Sequence, residues 1–190
     1  MTVGKALRDD VTDAIGAAFF AELAETGYGR LSVDAVAKRA GVGKAAIYRR
    51  WPSKQRMAVE LTSSVAVSSI DAPDSGSLRG DVRQFLANAR AALEHPLARA
   101  IIPDLLAEAH RNGELASSLL ATVRDPRRAN AGEMITRAIG RGELPADTDV
   151  ELCLDFLAGP LYWRLTAINS EPGPDYLDRL TDKVVAAFGA

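Results

Sequence analysis

The segment from Ala40 to Lys54 contains residue types that can bind phosphate. It reads AGVGKAAIYRRWPSK, with two glycines, four basic residues and two aromatic residues in fifteen positions. A Gly-x-Gly-Lys run can form a loop around the phosphates of a nucleotide. The same glycines can instead form a turn that presents a basic helix to the phosphates of a nucleic acid. These two possibilities require different neighbouring residues.

The neighbouring residues exclude a nucleotide loop. A phosphate-binding loop follows the pattern G-x-x-x-x-G-K-[ST], in which the hydroxyl group holds magnesium. Counted back from Gly43, the first glycine position holds Lys38, and the hydroxyl position holds Ala45. A dinucleotide-binding fingerprint also requires a preceding strand, whereas residues 32–40 have a helical pattern. We therefore expect no nucleotide site here.

The spacing of the segment fits a helix-turn-helix. Ala37 is small enough for two helices to cross closely, Gly41 gives the turn its backbone freedom, and Ile47 can hold the second helix against the first. We expect further apolar packing around this contact from Val36, Val42 and Trp51. The outward face of the second helix would then consist of Lys44, Ala45, Ala46, Tyr48, Arg49 and Arg50.

This outward face is suited to a DNA major groove. Its alanines allow close approach, and Lys44 or Arg50 can read the edges of bases. Tyr48 and Arg49 can reach backbone phosphates. Lys54, together with the free backbone N–H groups at the start of the next helix, predicts a further phosphate site.

The distribution of charge supports a polyanionic partner. The whole chain has a net charge of −2, but the stretch from Arg30 to Arg56 holds eight basic residues against one acid, Asp34. Such a local excess is expected of a surface that binds nucleic acid. An alternative is a helical interaction protein whose basic patch meets an acidic protein. A steep salt dependence of duplex binding would distinguish the two.

Hydrophobic periodicity predicts an all-α chain with an N-terminal three-helix helix-turn-helix domain and a C-terminal helical domain. We assign residues 1–53 to the first domain and 54–190 to the second, with a polar connection after Ile70. The capping and breaking residues predict nine helices: about 5–25, 32–40, 44–50, one that starts at 53, then 79–94, 96–111, 114–141 with a break or kink at Pro126, 149–169 and 174–187.

The stretch LSVDAVAKRAGVGKAAIYRRWPSKQRMAVE, Leu31–Glu60, resembles the DNA-binding half of the TetR/AcrR family of bacterial transcriptional repressors. A second stretch, Arg137–Arg164, looks like the C-terminal ligand and dimer domain of one subgroup. The resemblance places Ser32 and Val33 beside the DNA backbone. It also implies DNA contacts at Lys44, Ala45, Ala46, Tyr48 and Arg50. Lys54 would contact a phosphate. The expected function is a sequence-specific regulator, namely a repressor released from its operator by a small, largely apolar ligand.

The resemblance further implies a homodimer on a palindromic double-stranded operator. One short helix reads too few base pairs, whereas two can reach successive major grooves about 34 Å apart. We expect the last two helices to form the interface, through Leu154, Leu161, Tyr162, Leu165, Leu177, Leu180, Val184 and Phe188. A small-molecule effector would bind among helices five to eight, with candidate contacts at Phe85, Asn88, Ala89, Leu105, Leu106, His110, Met134, Phe156 and Trp163.

The remaining residues predict no enzyme, cofactor or metal site. His95 and His110 have no G-x-S-x-G or H-E-x-x-H pattern near them. The single cysteine, Cys153, cannot form an internal disulfide, and we expect it to be a small buried residue. No apolar run approaches the roughly 20 residues needed to cross a bilayer, and the acidic start differs from a secretory signal. We expect a cytoplasmic protein.

Overall fold

Helices form all the regular structure in residues 3–67 and 72–189, which are the residues that the computed structural model describes. They are α1 (Val3–Arg30), α2 (Val33–Ala40), α3 (Lys44–Tyr48), α4 (Lys54–Val67), α5 (Leu78–Glu94), α6 (Pro96–Arg111), α7 (Gly113–Leu119), α8 (Asp125–Gly140), α9 (Val150–Tyr162) and α10 (Tyr176–Ala187). A π-helical turn, Leu120–Arg124, joins α7 to α8, and another, Trp163–Ala167, follows α9. With α7 and α8 counted as one run, the described residues contain the nine predicted helices.

Local capping groups set several helix starts, because the first backbone N–H groups of a helix have no partner within it. The side chain of Ser32 accepts a hydrogen bond from the backbone N–H of Ala35, and that of Ser53 accepts one from Arg56. Both serines therefore cap the helices that follow them. Asp149 caps α9 in the same way.

The chain forms two compact units. The first unit contains residues 1–66 and 100–122, so its described part includes α1 to α3, α4 up to residue 66, most of α6 and all of α7. Its core is apolar and includes Phe19, Leu23, Ile47, Met57, Leu105 and Leu115. The division into domains at residues 53 and 54 stays a prediction. Of the polar connection that we placed after Ile70, residues 72–77 are described, and they form bends and irregular structure ahead of α5.

The second unit contains residues 67–99 and 123–190. Its core is formed mainly by α5, α8, α9 and α10 and includes Val82, Leu86, Met134, Ile135, Leu157 and Leu161. Cys153 is buried among these helices, as predicted, and burial raises the pKa of its thiol. In the turn between α8 and α9, the Glu143 carboxylate accepts a hydrogen bond from the backbone N–H of Leu78 at 2.7 Å. This bond joins the turn to the start of α5.

The end of α1 differs from the predicted stop near Glu25. The helix is interrupted at Gly27, whose φ of 75° and ψ of 161° are not helical, and then continues to Arg30. The backbone N–H of Tyr28 donates a hydrogen bond to Asp104 Oδ2 on α6 at 2.6 Å. A partner 76 residues away in the chain therefore supports the last turn, beyond the reach of any local signal.

Membrane-spanning helices are absent from the described residues, since none of their helices is both long and apolar enough to cross a bilayer.

Candidate nucleic-acid interface

The turn between α2 and α3 has the predicted geometry. Gly41 has a φ of 67°, in the left-handed region that favours glycine. The backbone N–H of Val42 donates to the carbonyl of Ala37 at 3.0 Å, which closes the end of α2. Ala37 and Ile47 are both buried in the core of the first unit. Their burial fixes the two helices against each other and turns the rest of α3 outward.

The outward face of α3 combines small and basic residues. Lys44, Ala45, Tyr48 and Arg49 are exposed, and Ala46 and Arg50 are partly buried. The two alanines leave the backbone of α3 unobstructed over its first turn. A helix with such a face can enter a major groove of DNA.

Lys44 is paired with an acid of the neighbouring helix. Its Nζ lies 2.5 Å from Oδ1 of Asp34, which is in the first turn of α2. Hydrogen bonding to this carboxylate, with the attraction of its charge, raises the pKa of Lys44. The lysine is therefore fully charged at neutral pH, and its position is tied to the start of α2.

Arg50 is directed back onto the protein. Its Nε donates to Oγ1 of Thr12 on α1 at 2.9 Å, and its Nη1 donates to the carbonyl of Ala46 at 2.9 Å. In this arrangement the guanidinium group braces α3 against α1. Arg50 must break these two hydrogen bonds to reach a base. The sequence pattern does not indicate either bond.

Lys54 likewise has partners within the protein. Its Nζ donates to the carbonyls of Tyr28 at 2.9 Å and Leu31 at 3.2 Å. The ammonium group also lies 4.5 Å from the centre of the Tyr28 ring, within range of a cation–π interaction. Lys54 therefore links the start of α4 to the end of α1.

Four other basic residues of the stretch fall into two groups. Arg39 pairs with Glu25 through two hydrogen bonds, and this pairing lowers the pKa of Glu25. Arg56 pairs with Glu60. The side chains of Lys38 and Arg49 have no hydrogen bond or ion pair to any residue that the structure describes. Much of the local basic charge is thus engaged inside the first unit.

Ser32 and Val33 lie at the start of α2. The Ser32 side chain is used as the helix cap, and Val33 is buried in the core of the first unit. The backbone at this helix start remains beside an exposed surface, because Ser32 and Asp34 are both exposed.

Comparisons with known proteins agree with this geometry over most of the chain. Residues 15–61 match the family model described as "Bacterial regulatory proteins, tetR family". Residues 72–184 match the model described as "Tetracyclin repressor-like, C-terminal domain". This chain belongs to the TetR family. It is a DNA-binding transcriptional regulator rather than an enzyme.

Two curated relatives of this TetR-family regulator cover most of its length. The HTH-type transcriptional regulator YdeS of Bacillus subtilis is 30% identical over 182 residues, which span 95% of this chain and 90% of the relative. The DNA-binding transcriptional repressor TetR of Mycobacteroides abscessus is 30% identical over 164 residues, which span 86% of this chain and 85% of the relative.

Solved structures share the fold. The TetR family transcription regulator SCO0332 superposes with a TM-score of 0.73 at 26% identity, over 94% of this chain and 96% of that one. FadR from Bacillus subtilis, solved in complex with stearoyl-CoA, has a TM-score of 0.70 at 19% identity, over 92% of this chain and 96% of FadR.

The predicted effector contacts of this TetR-family chain are divided between its two units. Three belong to the first unit: Leu105, Leu106 and His110. The other six belong to the second: Phe85, Asn88, Ala89, Met134, Phe156 and Trp163. Leu105 and Met134 are buried core residues, whereas Leu106, Phe156 and Trp163 are exposed. The pocket stays a prediction.

The predicted dimer residues are mostly internal to the second unit. Leu154, Leu161, Leu165, Leu177, Val184 and Phe188 are buried in its core, and Tyr162 and Leu180 are partly buried. A different set of apolar side chains from α9 and the turn after it is exposed: Leu152 (52%), Phe156 (43%) and Trp163 (62%). Neighbouring helices of the same unit cover the first set, so the interface prediction remains untested for those residues.

A polar cleft of about 440 Å³ lies in the second unit. It is lined by Arg124, Asp125, Arg128, Glu151 and Asp155. Arg128 is held there by ion pairs to Glu151 and Asp155. This lining differs from the apolar one that the sequence predicts for the effector.

Proposed function

We propose that this TetR-family regulator is a repressor that binds a palindromic operator as a homodimer in the bacterial cytoplasm. We also propose that a small, largely apolar ligand releases it. Residues 1–53 would bind DNA, and residues 54–190 would hold the effector and the partner chain. The observation that carries the proposal is the exposed face of α3, held outward by the buried contact between Ala37 and Ile47.

The DNA contacts follow from the partners of each side chain. Arg49 and Tyr48 are exposed, so both can reach phosphates without leaving a partner that the structure describes. Lys44 stands at the N-terminal end of α3, where helix-turn-helix proteins contact base edges. Ala45 and Ala46 let the helix approach closely, and the start of α2, with Ser32 and Val33, would lie beside the backbone.

The proposed dimer uses the exposed apolar face of α9 and the turn after it, rather than the buried residues around it. Leu152, Phe156 and Trp163 are spaced by four and seven residues, about one and two helical turns, so they share one face. Homodimers are typical of the family. Covering this face with a second copy would remove three large apolar side chains from water.

The proposed release by ligand has two supports. TetR-family regulators bind small molecules as well as DNA, and FadR, which has the same fold, holds stearoyl-CoA. The candidate contacts in the second unit that lie outside the proposed dimer face are also mainly apolar, with Phe85, Ala89 and Met134 among them. The repressor role rests on the similarity to the Mycobacteroides abscessus repressor.

Selection of bound sequences from a random DNA pool tests the proposal. We expect a two-fold symmetric consensus whose half-site centres are about 34 Å, or about 10 base pairs, apart or a multiple of that. A non-symmetric consensus would contradict the dimeric reading. Release can then be measured by adding long-chain acyl compounds and other apolar small molecules to the labelled consensus duplex.

The rival hypothesis, a basic patch that binds an acidic protein, predicts no enriched DNA sequence. Salt dependence gives a second measurement, because the slope of log K against log salt steepens by about 0.9 for each phosphate contact.

A further inference from the structure

An acid lies within the predicted DNA-reading surface, where a polyanion would repel it. Asp34 is the one acid between Arg30 and Arg56. Its carboxylate binds Lys44 Nζ at 2.5 Å. Both side chains are largely exposed, at 68% for Asp34 and 50% for Lys44. The pair therefore joins the N-terminal ends of the two helices of the helix-turn-helix on their solvent side.

The position of Lys44 makes this pairing consequential for DNA reading. A lysine ammonium is a compact charge on a flexible four-carbon stem. Without a fixed partner it would contact the nearest phosphate, and phosphate contacts carry no direct sequence information. Asp34 accepts a hydrogen bond from the ammonium group and limits its movement. The ammonium group has three donors, so two N–H groups remain for acceptors on the edge of a base.

The pairing also changes the charge that DNA meets. Neutralising Lys44 within the protein removes one cation from the set that can displace counterions from phosphates. Repulsion between the Asp34 carboxylate and the phosphates acts alike on every DNA sequence. The loss of a free cation, by contrast, weakens binding to random DNA more than binding to the operator, where Lys44 contacts a base.

We propose that Asp34 is a positioning residue that determines specificity, holding Lys44 toward the base edges and weakening attachment to random DNA. The inference rests on the proposed DNA-reading role of α3. The class of target follows from the chemistry of lysine, which donates to O6 and N7 of guanine. The pair would thus favour a guanine at one position in each half-site.

A merely structural role is the alternative explanation. Asp34 is in the first turn of α2, where a negative charge stabilises the helix through its dipole. Such a role would not depend on Lys44. A double-mutant cycle between the two residues therefore separates the explanations.

The experiment measures binding of the full chain to two duplexes of equal length, the consensus selected by the wild-type protein and a random sequence. The variants are Asp34→Asn, Asp34→Glu, Lys44→Gln and the double variant Asp34→Asn with Lys44→Gln. Glu60→Gln is the matched control, because it also removes one acid from an exposed pair with a basic residue, Arg56. Thermal unfolding shows whether each variant keeps its fold.

For Asp34→Asn we expect the preference for the consensus to fall by about five- to tenfold, because one base contact is loosened. On random DNA, the slope of log K against log salt should steepen by about 0.9. The binding constant should then fall by about a further 3.5-fold between 50 and 200 mM salt. Asp34→Glu should restore most of the preference, and Glu60→Gln should leave it unchanged. When Lys44 is already replaced by Gln, Asp34→Asn should not change the preference for the consensus duplex any further.

Two results would overturn the inference. One is an equal change of affinity for both duplexes in Asp34→Asn. The other is a loss of preference that persists when Lys44 is already replaced. Failure of the proposed function would look different, because the wild-type protein itself would then show no preference between the duplexes.

Discussion

The charged group of Lys54 makes its contacts within the protein. Its ammonium binds two carbonyls at the end of α1 and lies over the ring of Tyr28. Replacing Lys54 by Ala should lower the free energy of unfolding by about 1.5–3 kcal/mol, since hydrogen bonds to a charged group are lost. Urea denaturation measures this change. DNA binding should weaken on all duplexes together, because the first turn of α4 loses its position.

Arg49→Ala is the matched control for Lys54→Ala. The Arg49 side chain is exposed and has no hydrogen bond or ion pair to the described residues, so its replacement should weaken duplex binding without changing the urea midpoint. Equal unfolding free energies for Lys54→Ala and the wild type would show that the contacts at the end of α1 contribute nothing measurable.

Gly27 and Gly29 form a second matched pair. A Cβ at Gly27 would lie 2.9 Å from Oδ1 of Asp104, at a φ of +75° that side chains rarely adopt. Gly27→Ala should therefore destabilise the first unit by about 1–3 kcal/mol. Gly29 has nothing within 4 Å of its added Cβ and no positive φ, so Gly29→Ala should be neutral or slightly stabilising. Thermal unfolding of the two variants compares them, and equal melting temperatures would contradict the strain at Gly27.

The sequence predicted which side chains of the basic segment are exposed, but not which residues their polar groups contact. Exposure of Tyr48 and Arg49 follows from helical spacing, because Ile47 must face inward. The hydrogen bonds of Arg50 to Thr12 and of Lys54 to Tyr28 and Leu31 join residues 23 to 38 positions apart. Such contacts depend on how α1 crosses α3 and α4, which periodicity does not specify.

The turn between α8 and α9 gives a prediction at the scale of elements. Glu143 accepts the backbone N–H of Leu78, and this bond, with a smaller contribution from Arg141, lowers the pKa of the carboxyl group. A carboxyl group with a lowered folded-state pKa stabilises the fold above its unfolded pKa, about 4.3, and loses that contribution as pH falls through the folded value. Stability should therefore decline in this acidic range.

Glu143→Gln should remove part of that decline. Melting temperatures of the variant and the wild type should differ most near neutral pH and converge as the pH falls below about 4. Glu133→Gln serves as control, since the Glu133 side chain is exposed on α8 and has no hydrogen bond or ion pair to the described residues. A difference in melting temperature between Glu143→Gln and the wild type that stays constant with pH would show that Glu143 does not cause the loss of stability at acidic pH.

Helices with local signals were predicted closely, and those shaped by distant contacts were not. The bounds of α2 follow from the Ser32 cap and from Gly41, and those of α6 agree with the predicted residues 96–111. The predicted helix over 149–169 is instead α9 followed by a π-helical turn at Trp163–Ala167. Pro160 within α9 lacks a donor N–H, but the sequence pattern does not distinguish a bend from a widened turn.

At the scale of the whole molecule, the apolar face of Leu152, Phe156 and Trp163 predicts the oligomeric state. Replacing Phe156 and Trp163 by Glu should give a monomer in sedimentation, with little loss of stability because both side chains are exposed in the single chain. Operator affinity should fall steeply, since two joined reading helices bind far more tightly than one.

Leu120→Glu is the control for this change. Leu120 is also a large exposed apolar residue, at 41%, but lies on the turn between α7 and α8. It should leave the dimer intact. A dimer that survives both replacements on α9 and its following turn would assign the interface to another surface.

The burial of Cys153 has a practical consequence for measuring movement in this regulator. A thiol that is enclosed and has a raised pKa reacts slowly with maleimide and thiosulfonate reagents. A cysteine introduced at an exposed position of α1, such as Ala14, should then be labelled selectively while the native thiol remains in place. In a homodimer this gives one spin label per chain. Dipolar spectroscopy could therefore measure the distance between the labels on the first units of the two chains, before and after a ligand is added.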